Sequence, residues 1–149
     1  QVKNWLFMGR GVYYPIAMES ALKMKEVTYI HAEGLPAGFL KHGTLAMIDE
    51  SLYSIFFLPA NDNSELYKST LMAIEEVKAR GGKVISFCLV DDSETQNLSD
   101  HFFVIPDADA DIMPLIELVM AQLFSYYSAL HLGLNIDKPR NLAKSVTVG

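Results

Sequence analysis

Residues 15–44 carry Glu19, Lys23, Glu26, His31, Glu33, Lys41 and His42, the densest group of acid–base side chains in the chain. Projected at 100° per residue, a helix over about residues 15–32 puts Glu19, Lys23, Glu26 and Glu33 in one narrow sector. Ile16, Ala17, Met18, Ala21, Leu22, Met24 and Val27 spread round most of the remaining circumference. A helix that is apolar on most sides with one charged seam is expected to be covered by protein on several sides. The chemistry such a seam offers is proton transfer, because a desolvated carboxylate beside a lysine can take up a proton and return it. The same spacing also describes an ordinary surface pair, Glu19 with Lys23, which stabilises a helix only weakly. Beyond Gly34 and Pro36, residues 38–43 read as a glycine-bracketed loop carrying His42, either a working imidazole or a solvated one.

The elements that must position these residues alternate. Residues 5–8 form an apolar strand ending at Gly9-Arg10-Gly11, and Pro15 opens the helix that follows. Tyr14 stands where a GxGxxG pattern requires its third glycine, so a dinucleotide loop is not expected. A second strand over residues 54–58 is too apolar to have a wet face. Residues 64–80 form an amphipathic helix, capped near Asn63 or Ser64 and stopped by Gly81-Gly82. A third strand over 83–89, a polar loop over 91–96 and a fourth strand over 101–106 follow, then a helix over 112–132 and a polar tail over 135–149. Asp107, Asp109 and Asp111 alternate like a metal loop but lack its glycine and its bidentate glutamate, so no metal site is expected. Strands alternating with helices predict one α/β domain, a three-layer α-β-α sandwich with a central parallel sheet.

Composition narrows the partners. The chain has 149 residues, half of them hydrophobic, and a net charge of −6. That suits one globular domain with apolar surface to spare for an oligomer interface, and it removes the electrostatic drive toward nucleic acid. The single cysteine, Cys88, lies in an apolar run and forms no internal disulfide, which fits a reducing cytoplasm. Pro114, Glu117, Gln122 and His131 interrupt the most apolar long segment, so no membrane span is expected.

Two separated stretches, SALKMKEVTYIHAE with AGFLKHGTLAMID and then DKPRNLAKSVTV, resemble the second sugar-isomerase (SIS) half of the glucosamine-6-phosphate synthase family. The likeness runs over essentially the whole chain. It implies a flavodoxin-like SIS domain over residues 1–149, with the tail over 135–149 closing the active site, and a substrate pair of fructose 6-phosphate and glucosamine 6-phosphate. Glu26 then shuttles a proton between C1 and C2, Lys23 stabilises the developing oxyanion, His42 opens the sugar ring in a neighbouring subunit's site, and Lys144 forms a Schiff base with the ketose or positions it. Glu19, Arg140, Asn141 and Ala143 belong to the substrate site, and no cofactor is implied. Partners implied are a first SIS half, a glutaminase domain and a second copy, packed through the charged-seam helix and its apolar neighbours. Phe39 and Thr44 depart from the family's Gly-Glu-Leu-Lys-His-Gly-Pro, which changes the surroundings of His42. The family's Ser/Thr-rich phosphate cradle has no counterpart at residues 60–64, so this chain alone is expected to be weakly active or inactive. The alternatives are a non-catalytic sugar-phosphate-binding or dimerisation module, or a related SIS deglycase or ketose-phosphate isomerase.

Overall fold

A computed structural model describes residue 2, residues 4–59 and residues 64–142. Five strands, β1 (Asn4–Gly9), β2 (His31–Pro36), β3 (Tyr53–Phe57), β4 (Lys83–Cys88) and β5 (His101–Val104), form one sheet in the order β2-β1-β3-β4-β5, and all pair in parallel. Four helices, α1 (Tyr13–Thr28), α2 (Glu65–Lys78), α3 (Ser93–Leu98) and α4 (Met113–His131), complete the three-layer sandwich.

The central strands are apolar throughout because alternate residues feed two cores. Trp5, Phe7, Ile55, Phe57, Ile85 and Phe87 pack with Tyr13, Ala17, Ala21 and Met24 of α1 and with Met113 and Ala121 of α4. Leu6, Met8, Phe56, Leu58 and Val84 pack with Tyr67, Leu71, Ile74 and Val77 of α2. Each fully buried phenylalanine contributes roughly 2–3 kcal/mol by leaving water. Among the described residues no helix is long and apolar enough to cross a membrane.

Three local expectations are corrected. The helix does not run to Ala32: Tyr29 adopts a left-handed conformation (φ 61°) and caps α1 through its N–H to the Lys25 carbonyl. The chain then enters β2, an edge strand that the sequence pattern did not show. Its covered face is built from Ala32 and Gly34, because α1 lies so close that a Cβ on Gly34 would come within 2.5 Å of the Met18 Cα. Small residues, not β-branched ones, are what this strand needs. Glu33 therefore leaves the helical seam and sits exposed on β2.

The expected loop at 38–43 is a 3-10 helix, Ala37–His42, entered through Pro36 and left through Gly43 at φ 129°. A second 3-10 helix follows at Thr44–Met47. The expected polar loop at 91–96 instead contains the start of α3, because the Asp92 side chain accepts the Thr95 N–H and caps a short helix.

Candidate functional site

The charged seam is real and lies on the outer flank of α1. Lys23 Nζ is 2.7 Å from Glu26 Oε2 and 3.5 Å from Glu19 Oε1. The lysine and both carboxylates are partly shielded, with side-chain exposures of 34% for Lys23 and 23% for Glu26. The Glu26 hydrogen bond raises the Lys23 pKa, with Glu19 adding to it and partial burial opposing. Lys23 is thus held as an ammonium. It can donate to a developing oxyanion and does not serve as a free amine nucleophile. Glu26 places its carboxyl group on the outer flank of the helix, within reach of a ligand that could exchange a proton with it.

The seam has an uncovered apolar side. Met18 is 50% and Leu22 41% exposed, so α1 is not enclosed on as many sides as its pattern suggested. Pro15, Met18, Glu19, Leu22 and Lys25 line an open depression of about 400 Å³ there. A larger and almost wholly apolar groove, about 510 Å³, lies between β5 and α4, lined by Phe103, Leu123, Tyr127 and His131 among others.

Topology separates His42 from the seam. α1 leaves the carboxyl edge of the sheet and returns to its amino edge to feed β2 at His31, so Glu26 lies near the amino edge. His42 follows Pro36 at the far end of β2. Six strand residues span on the order of 15–20 Å, which sets the scale of the separation. His42 is exposed, with its ring edge-on to Phe39 at 5.5 Å, and its neighbour Lys41 pairs with Glu76 of α2 at 2.8 Å.

The other end of the chain comes back to α1. The Arg140 backbone N–H donates to the Tyr29 hydroxyl at 2.8 Å, and the Arg140 guanidinium lies over the Tyr29 ring, 4.2 Å from its centroid. Asn141 follows in a left-handed conformation (φ 58°) and is exposed. Glu19, Lys23, Glu26 and Arg140 are thereby gathered along one helix and its cap, whereas His42 is not. Ala143 and Lys144 lie outside the described residues.

Sequence reasoning missed two residues. Tyr29 gave no signal because nothing local announces a left-handed tyrosine or its partner in the tail. Glu117, which the sequence shows only as a break in an apolar run, is fully buried on the inner face of α4 and neither carboxyl oxygen has a hydrogen-bond partner. Burial pushes its pKa well above the ordinary carboxylate range, against a smaller opposing pull from the Leu58 backbone. Among the described residues no cluster of three or more His, Cys, Asp or Glu side chains is placed to hold a metal ion.

Comparison with known proteins gives consistent matches. Residues 1–132 match the family model described as the SIS domain. A glutamine–fructose-6-phosphate aminotransferase (isomerizing) of Aquifex aeolicus is 47% identical over 146 residues, covering 98% of this chain and 24% of its own length. The protein of the same description from Haemophilus ducreyi is 50% identical over 146 residues, covering 98% of this chain and 23% of its own. The C-terminal domain of glucosamine-fructose-6-phosphate aminotransferase from Francisella tularensis superimposes with a TM-score of 0.82 at 40% identity, covering 92% of this chain and 38% of that one. The chain thus spans about a quarter of the length of the curated relatives it matches.

Proposed function

The chain belongs to the SIS domain family, and on that premise we propose that it is the sugar-isomerising half-domain of a glutamine:fructose-6-phosphate aminotransferase. The observation that carries this reading is the Lys23–Glu26 pair at 2.7 Å on a partly shielded helix face, in a chain 44–50% identical to proteins of that description. Ammonia released from glutamine condenses with C2 of open-chain fructose 6-phosphate to an imine, with loss of water. The Glu26 carboxylate removes a proton from C1 to give the enolamine and returns it to C2. The hydroxyl on C1 becomes the aldehyde of glucosamine 6-phosphate, and the Lys23 ammonium stabilises negative charge on that oxygen. Lys144 forms a Schiff base with the ketose or holds it. Glu19, Arg140, Asn141 and Ala143 complete the substrate side.

The sugar phosphate needs an anchor that residues 60–64 do not offer in type, and a first SIS half supplies it. A glutaminase domain supplies the ammonia. The exposed Met18 and Leu22 beside the seam support a further protein surface there, either the first half or a second copy in a homodimer. His42, remote from Glu26 in its own chain, opens the sugar ring in the partner's site. The buried single cysteine supports a reducing cytoplasm.

The test is turnover. A polypeptide carrying this domain with its upstream domains, given fructose 6-phosphate and glutamine, should yield glucosamine 6-phosphate, and Glu26→Gln should slow its formation by roughly a hundredfold or more. No product from the parent protein, or an undiminished yield from the variant, refutes the proposal.

A further inference from the structure

We propose that Tyr29 is a positioning residue that fixes the direction in which the C-terminal tail leaves the domain. The inference rests on the reading above, in which the tail serves the Lys23–Glu26 seam. It starts from the backbone: Tyr29 caps α1 at φ 61°, a conformation that costs a residue with a bulky side chain and is usually given to glycine or asparagine. Strain of this kind persists where surrounding structure holds it and something is gained from it. The gain lies in the side chain. Two separate contacts converge on one tail residue: the Tyr29 hydroxyl accepts the Arg140 N–H at 2.8 Å, and the ring carries the Arg140 guanidinium at 4.2 Å. The first fixes the main chain of residue 140 and the second fixes its side chain.

Those contacts act where direction is decided. Asn141, the next residue, is itself left-handed at φ 58°, so the chain turns directly after the clasp. Tyr29 lies one helical turn beyond Glu26, so the turn starts at the end of the helix that bears the seam. No hydrogen bond or ring contact of the Tyr29 side chain other than these two is seen among the described residues. A glycine would cap α1 with less strain and would release the tail.

Two variants separate positioning from mere capping. Tyr29→Phe keeps the ring and the cap but deletes the acceptor of the Arg140 N–H. In this chain, amide exchange at Arg140 should rise roughly fivefold while amides within α1 keep their rates. Tyr29→Gly should leave the melting temperature unchanged or raised while exchange at residues 140–142 rises further. In the longer polypeptide, kcat should fall roughly fivefold for the first variant and on the order of a hundredfold for the second, with KM nearly unchanged. Unaltered exchange at Arg140 in Tyr29→Phe overturns the proposal, and so does faster exchange accompanied by undiminished kcat. If the parent polypeptide makes no glucosamine 6-phosphate, the functional reading fails on its own account, and the exchange ratios still decide whether Tyr29 holds the tail.

Discussion

Glu26 and His42 stand at opposite edges of one sheet, the first near the end of α1 and the second beyond the carboxyl end of β2. The proposed function gives a proton shuttle and a ring-opening imidazole to one sugar, and both must come within a few ångströms of it, so that proposal requires the two residues to come from different copies of the domain. Mixed oligomers test this. A Glu26→Gln variant and a His42→Asn variant, each inactive alone, should recover about a quarter of the parent activity when co-assembled, since half of random dimers are mixed and each has one intact site. Failure to recover any activity in verified mixed dimers would sink the arrangement.

Glu26→Gln removes the proton acceptor and keeps the shape. The expected loss in kcat is roughly a hundredfold to ten-thousandfold, the range general base catalysis supplies. Substrate binding, read by displacement of the sugar phosphate, should stay within about twofold, because the ammonium of Lys23 is retained. Since Glu26 is a partly exposed partner of an i,i+3 pair, the melting temperature should hardly move.

Phe39→Glu installs the glutamate that the resemblance implies three positions before the histidine. The Phe39 ring now meets His42 edge-on at 5.5 Å. Both side chains are exposed, so loss of this ring contact should leave the melting temperature within about 2 °C of the parent's. Thermal melting followed by circular dichroism reads this directly, and a drop of about 5 °C contradicts it.

Glu117 makes stability depend on pH in the direction opposite to most carboxylates. Its pKa is raised in the folded state by burial, so above the ordinary glutamate pKa the folded chain holds a proton that the unfolded chain has released. Stability then falls as pH rises from about 4.5 until the buried carboxyl itself ionises. Glu117→Gln removes this slope. Relative to the parent, its urea midpoint should be nearly equal near pH 4 and higher by pH 8. Equal midpoints at both pH values would show that the carboxyl is not protonated in the fold.

The parallel sheet was legible because residues 54–58 and 83–89 are continuous apolar runs, and such runs have little place except between two helical layers. The seam was legible because its members recur at helical spacing. β2 escaped because its packing demand is for smallness: Ala32 and Gly34 satisfy α1 by being absent rather than by being hydrophobic. α3 escaped because six residues carry too little periodicity, and only the Asp92 cap announces them. The resemblance supplied roles for the tail, but the clasp of Tyr29 and Arg140 is separated by 111 positions in sequence, and no local rule reaches that far.

The strand at the rim, β5, has every one of its four residues exposed, and three of them are Phe102, Phe103 and Val104. It shows none of the lysines, bulges or prolines within its span by which sheet margins usually repel other chains. Prepared as a piece, this domain will therefore be limited in solution by sticking to itself before it is limited by unfolding. A lysine at position 102 is the first change to make for anyone who wants it concentrated.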